Sequence, residues 1–191
     1  EFMRLLRKSG AVTNFVSEVR RKDGNHIWIS ENARAVLDEA GELMFYEGTV
    51  EDVTESKLDQ DKLEHLANHD PVTGLPNRLL MNERLRQMML SAQRTCSIVA
   101  VALVDLDHFK LINDTFGHNR GDQLLQTMAH RMLACVRESD TVVRLGGDEF
   151  VLLLSGADRG EAMSQAIQRV LQTIARPSKI EGRELIVSCS V

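Results

Sequence analysis

The chain has almost no cysteine. Cys96, Cys135 and Cys189 are odd in number and far apart. That excludes a disulfide framework and the paired spacings of zinc sites, and it points to reduced thiols in a cytoplasmic setting. No apolar run is long enough to cross a bilayer, so no membrane segment is expected. No signal-peptide pattern opens the sequence. There is no basic excess either. Lys+Arg number 23 against 28 Asp+Glu, the net charge is −5 and the pI about 5.7. That balance argues against a nucleic-acid surface. What is present is ordinary for a globular protein, with 43% hydrophobic and 27% charged residues. The 191 residues suffice for one full domain and part of a second.

The most informative stretch is Arg144-Leu-Gly-Gly-Asp-Glu-Phe150. It lies between Val142-Val143 and Phe150-Val-Leu-Leu-Leu154, a pattern that predicts a β-hairpin with an acidic, sterically bare tip. Gly146 and Gly147 supply room for a ligand to approach the backbone. Asp148 and Glu149 can hold a hard cation that in turn holds phosphate. A second acidic strand end precedes it, where Ile98-Val-Ala-Val-Ala-Leu-Val runs into Asp105 and Asp107. Such a run predicts a buried central strand. Carboxylates from two strand ends can converge on one metal, as phosphoryl-transfer chemistry requires.

Residues 1–53 read as β-rich, with strands at 14–20, 26–30 and 43–50 separated by turn signals at Lys22-Asp-Gly-Asn25 and Glu39-Ala-Gly41. Three strands alone are too few to close a core. From Thr54 to about Asn68 the pattern is helical, with Thr54 as N-cap and Leu58, Leu63 and Leu66 on one broad face. Helices are then expected at about 77–92, 108–115, 120–137 and 159–176, with strands at 98–106 and 185–191. Met128, Met132 and Met163 read as core packing. His65 and His69 are one helical turn apart, but no third metal ligand accompanies them.

The sequence resembles the GGDEF-domain diguanylate cyclases. Beside Arg144–Phe150, the resemblance rests on His69-Asp-Pro-Val-Thr-Gly-Leu-Pro-Asn-Arg78, Asp105-Leu-Asp-His-Phe-Lys-Leu-Ile-Asn-Asp114 and Phe116-Gly-His-Asn-Arg-Gly-Asp122. These blocks occur in the family's order over about residues 66–191. The β-rich start resembles the C-terminal half of a PAS sensor. The organisation implied is a partial PAS-like segment at 1–53, a linker helix at 54–67 and a GGDEF domain at 68–191. The implied fold is α/β (α+β), a central sheet flanked by helices, similar to the nucleotidyl cyclase and polymerase palm.

The resemblance implies condensation of two GTP into cyclic di-GMP. By the match, Asp105, the carbonyl of Leu106 and Asp148 hold Mg²⁺ or Mn²⁺, oxygen donors that suit those ions. Asp148 or Glu149 takes the proton of the attacking hydroxyl, and the sequence leaves open which. Asp107 reads as structural. Lys110 clamps phosphate, and Asn113 with Asp122 reads guanine, whose adjacent N–H donors a carboxylate accepts together. Arg137-Glu-Ser-Asp140 resembles the inhibitory product site, where arginine forks to guanine or phosphate. A homodimer is implied because the product contains two guanines. The competing expectation is a silent GTP- or cyclic di-GMP-binding module ahead of a phosphodiesterase domain. The intact pair of acids favours activity.

Overall fold

The structure, a computed structural model, describes residues 1–156, 161–180 and 182–191. The chain divides into two compact units, residues 1–64 and 65–191. Among the described residues no helix is long and apolar enough to cross a membrane.

The first unit is a three-stranded antiparallel sheet, β1 (Ala11–Arg20), β2 (His26–Leu37) and β3 (Leu43–Asp52), preceded by α1 (Phe2–Ser9). The helix was not expected. It forms because Leu6 can bury itself and the Phe2 and Phe15 rings meet 5.3 Å apart, while Gly10 closes the helix in a left-handed conformation. Strand β2 runs seven residues past its expected end. Its polar Asn32 and Arg34 hide the alternation, but they pair across the sheet with Thr49 and Glu47. Leu6 and Ile29 are the unit's buried hydrophobics, so its core is small. Helix α2 (Thr54–Asn68) follows. Thr54 lies inside it rather than capping it, and its Oγ1 accepts the Trp28 N–H. The helix buries no residue, and Leu58, Leu63 and Leu66 are exposed.

The second unit takes in the last turn of α2 and the loop after it, then α3 (Arg78–Thr95), β4 (Ile98–Leu106), α4 (Phe109–Phe116), α5 (His118–Leu133), β5 (Thr141–Gly146), β6 (Glu149–Gly156), α6 (Glu161–Ile174), β7 (Ser178–Ile180), β8 (Arg183–Leu185) and β9 (Cys189–Ser190). The expected start of the sixth helix at 159 lies outside the described residues. The main sheet has the order β5-β6-β4-β9, and the pairings along it are antiparallel. Strict alternation splits its side chains between two layers. Val104, Ala102, Phe150, Leu152 and Leu154 face a core completed by Leu124, Leu125, Met128 and Met132 of α5 and Val170 and Ile174 of α6. Val143, Val151 and Leu153 face the other way, onto Met81, Leu85 and Met88 of α3. The fold is the expected α/β arrangement of a central sheet with flanking helices.

Three details differ from the sequence reading. Helix α5 ends at Leu133, although Val136 beyond it still packs on the core. The expected strand 185–191 is broken, because Val187 turns into the core between β8 and β9. On α3, Leu79 and Met89, two of the apolar residues of the helix expected at 77–92, are exposed, while Met81 packs inward beside Leu85 and Met88.

Leu152 is fully buried between β4 and the helices. Replacing it with Ala should cost about 2–5 kcal/mol, since the layered sheet cannot collapse onto the void. Urea titration should show a lower midpoint with an unchanged slope.

Candidate active site

The β5–β6 hairpin turns through Gly146 at φ 142° and Gly147 at φ 55°, positive values that disfavour side chains. The turn therefore needs these glycines, and both are exposed. Asp148 follows and Glu149 opens β6, each half-buried. Strand β4 runs alongside, so Asp105 stands directly opposite Glu149 in the ladder. The Leu106 N–H donates to the Asp148 carbonyl at 3.3 Å. The two acidic strand ends thus meet. Directly opposed carboxylates repel, an arrangement that a divalent cation relieves. Hard oxygen donors from Asp105, Asp148 and Glu149 with the Leu106 carbonyl fit Mg²⁺ or Mn²⁺ in kind. Among the described residues, no three acidic, histidine or cysteine side chains converge as a ready-made metal cage.

Asp107 does something else. Its carboxylate accepts the Ser188 hydroxyl at 2.6 Å and the Ser190 hydroxyl at 2.9 Å, and these bonds hold its pKa below the ordinary range. It fastens β9 to the end of β4. Beside it, burial and then the Asp107 charge push the Cys189 thiol up to about 11. All three cysteines are free.

Past the acids, His108 turns the chain at φ 59° into α4, and Phe109 is buried. Lys110 is exposed on the first turn. Asn113 lies one turn further, against α5. A Cβ at Gly121 would overlap its Oδ1, so glycine is required for that approach. Gly121 immediately precedes Asp122, and the structure thereby brings Asn113 close to the start of the Asp122 side of α5. The Asn113 Oδ1 is buried without a hydrogen-bond partner, a state that ordinarily costs free energy unless a ligand supplies the donor.

Arg137 and Asp140 form a tight turn after α5. The Asp140 carboxylate accepts the Arg137 N–H at 3.0 Å and the Ser155 N–H of β6 at 3.1 Å. Asp140 is therefore already part of the scaffold. The exposed Arg137 side chain lines a small hollow with Asp140 and Arg169 of α6. Arg169 was not foreseen, because its helical spacing shows nothing of the hollow. The His65 and His69 rings stack 4.1 Å apart rather than opening toward a common ion.

The most consequential omission is Arg144. The sequence quoted it within a motif but gave it no task. It is 7% exposed. Its guanidinium donates to the Gly147 carbonyl from Nε at 3.1 Å and from a terminal nitrogen at 2.7 Å, and to Asp70 Oδ1 at 2.8 Å. Asp70 in turn accepts the Thr73 N–H and hydroxyl. A cation at an otherwise apolar strand position was the available signal.

A mixed α/β domain with an acidic glycine turn at one end of its sheet is the class defined by this geometry. Residues 67–191 match the family described as "Diguanylate cyclase, GGDEF domain", and the chain belongs to that family. The bifunctional diguanylate cyclase/cyclic di-GMP phosphodiesterase MucR of Pseudomonas aeruginosa is 43% identical over 130 residues, covering 68% of this chain and 19% of MucR. The diguanylate cyclase DgcP of the same organism is 41% identical over 122 residues, covering 63% of this chain and 18% of DgcP. A crystal structure of a sensory box/GGDEF family protein from Caulobacter crescentus is similar at TM-score 0.61 and 35% identity, covering 64% of this chain and 80% of that one. The chain spans about a fifth of the length of the curated relatives it matches.

Burial pushes the Asp70 carboxyl up, but the Thr73 hydroxyl and the Arg144 guanidinium together outweigh it and hold the group below its ordinary 3.8. A depressed folded value means stability that is complete above the unfolded value and lost as pH falls through the folded one. Wild type and Asp70→Asn should therefore differ in unfolding free energy at pH 7 and converge below about pH 3.8, which denaturant titrations across pH will read.

Proposed function

We propose that this chain carries a diguanylate cyclase domain, condensing two GTP into cyclic di-GMP with release of two pyrophosphates. One observation carries the reading: Asp105 and Glu149 oppose each other beside a bare glycine turn that bears Asp148. Such a site suits an attack of a ribose 3′-hydroxyl on an α-phosphate. Asp105, the Leu106 carbonyl, Asp148 and Glu149 would hold Mg²⁺ or Mn²⁺. When bound, the cation neutralises phosphate charge and acidifies the attacking hydroxyl. Asp148 or Glu149 takes that proton, and Lys110 supplies a point charge to the phosphates. Asn113 offers its unpartnered carbonyl and Asp122 its carboxylate to the N–H edge of guanine. Gly146 and Gly147 leave room for the phosphates.

We read residues 1–53 as the C-terminal part of a PAS-like sensor, 54–67 as its linker helix and 68–191 as the GGDEF domain. Each domain offers one guanine-reading pair and the product holds two guanines, so two copies face each other as a homodimer in the cytoplasm. The exposed Leu58, Leu63 and Leu66 of α2 supply apolar surface for that pairing. Arg137, Asp140 and Arg169 form the cyclic di-GMP inhibitory hollow. A second reading is a silent nucleotide-binding module in a protein that also carries a phosphodiesterase. Two relatives named only as cyclic di-GMP phosphodiesterases favour it, PdeR of Escherichia coli at 38% identity and NbdA of Pseudomonas aeruginosa at 40%.

Asp148→Asn in the full-length protein should lower product formation from GTP and Mg²⁺ by about a thousandfold or more, the loss expected for a metal ligand. Its melting curve should stay near wild type, because the residue sits at a hairpin tip. Chromatography of the nucleotide products measures the first and calorimetry the second. Wild type that binds GTP yet makes no cyclic di-GMP would favour the silent module.

Arg137→Ala should weaken cyclic di-GMP binding by at least about tenfold, the scale of losing a charge-assisted fork, while leaving initial turnover unchanged. Isothermal titration reads the affinity. Asp140→Ala is a poorer probe. It also strips acceptors from two backbone N–H groups, so it should destabilise the domain by about 1–3 kcal/mol.

A further inference from the structure

We propose that Arg144 is a positioning residue that fixes the cation-binding turn to the segment in which helix α2 ends. The inference rests on the metal assignment above and deepens it.

The connections run without a gap. At the last turn of α2, the Ala67 carbonyl accepts Asn77 Nδ2 at 2.7 Å and the Asn68 carbonyl accepts the Asn77 N–H at 2.9 Å. Asn77 also caps α3, its Oδ1 accepting the Leu79 and Leu80 N–H groups. The preceding residue, Pro76, accepts the Arg144 N–H at 3.0 Å, and the Leu75 carbonyl accepts the Asp70 N–H at 2.8 Å. Asp70 then holds the Arg144 guanidinium, and that guanidinium grips the Gly147 carbonyl with two donors. Gly147 is bonded to Asp148.

The chemistry selects this role over simple packing. The Arg144 and Asp70 side chains are 8% and 14% exposed, so the pair is largely out of water, where its net stabilisation is small or unfavourable. The carbonyl it grips belongs to a glycine at positive φ, the least restrained backbone in the hairpin. The opposed carboxylates beyond that glycine would otherwise push the turn open. A planar fork with one arm on Asp70 and two on Gly147 holds the turn closed against that repulsion. The acids are thereby kept at a separation a cation can bridge, and their geometry is tied to the end of α2.

The test measures metal binding rather than turnover. Full-length protein is titrated with Mn²⁺ in the presence of 3′-deoxy-GTP, which lacks the attacking hydroxyl, and free Mn²⁺ is read by electron paramagnetic resonance. Asp70→Asn keeps an acceptor for Thr73 but loses the charge that orients Arg144. It should weaken Mn²⁺ binding by about 10–100-fold, the range for partners that orient metal ligands. Breaking a buried pair can also unfold a domain, so Asn77→Asp is the second variant. Asp still caps α3 but cannot donate to the Ala67 carbonyl, which removes one of the turn's two bonds to the end of α2 and leaves the Asn77 N–H bond to Asn68 in place. Losing that one exposed hydrogen bond should lower the metal-free melting temperature by only about 2–4 °C, so that the folded protein can still be titrated, and should weaken Mn²⁺ binding by about threefold or more. A purely structural pair would lower the melting temperature and leave the affinity of the folded protein untouched. Folded Asp70→Asn with wild-type affinity overturns the proposal, and so does wild-type affinity in Asn77→Asp where Asp70→Asn does not fold. Asp148→Asn is the control. If wild type binds Mn²⁺ no better than that control, the metal assignment itself fails. If wild type binds better but the other two variants match it, only the positioning role fails.

Discussion

A buried arginine has to be neutralised and fully hydrogen-bonded, or it will not be buried. In this protein that requirement organises the GGDEF unit. Arg144 sits on β5 with almost no exposure, and its partners come from opposite directions along the chain. Asp70 lies 74 positions before it and Gly147 three positions after. Satisfying one guanidinium therefore joins the segment after α2 to the hairpin tip. The tip has little else to hold it, whereas the segment is also anchored by the buried Leu75 and by the bonds of Asn77 to the end of α2. The segment is a loop with one isolated bridge, His69 to Pro76, and the tip is two exposed glycines.

The sheet beneath supplies the rigidity those contacts work against. Strand β6 is central to both layers, with Phe150, Leu152 and Leu154 on one face and Val151 and Leu153 on the other. A strand buried on both faces cannot slip by one residue without exchanging its two layers. The register opposing Asp105 to Glu149 is thus fixed by apolar residues that take no part in chemistry. The like-charge pair is tolerated because the hydrophobic ladder leaves it no alternative partner position.

The periphery follows a different rule. At the far edge β9 has two residues, and Asp107 secures it through two serine hydroxyls. Arg131 of α5 donates to the carbonyls of Ile174, Arg176 and Pro177, closing the end of α6. Asp140 performs a similar service between the turn after α5 and β6. Arg131 and Asp140 satisfy backbone groups that local structure leaves open, while Asp107 takes serine hydroxyls.

Much was legible in the residues alone. Alternation and apolar runs gave the hairpin, the position of β4 in the sheet and the inward faces of α5 and α6, because binary pattern acts locally. Strand β4 is not the fully buried strand its apolar run predicts, since Ile98, Val101 and Leu103 are exposed. The glycine pair announced a turn that only glycine adopts, and the acids beside it announced a candidate site. The family blocks gave the order of elements and the α/β class. Helix α1, the long β2, the β7–β8 hairpin and the break before β9 were hidden. Each depends on partners distant in sequence: Phe15 for α1, Glu47 and Thr49 for β2, the core around Val187 for the break. The same holds at the site. Sequence nominated Asp105, Asp148 and Glu149 by type and spacing, and the family resemblance nominated Asn113 and Asp122. Sequence assigned no task to Arg144 or Arg169 and missed the backbone bonds of Asp140, because a charged residue's role is set by what surrounds it after folding. Hydrophobic periodicity is written along the chain, whereas hydrogen-bond and ion pairing is decided in space. The tertiary structure alone therefore determined which polar groups serve as scaffold and which are left over for chemistry.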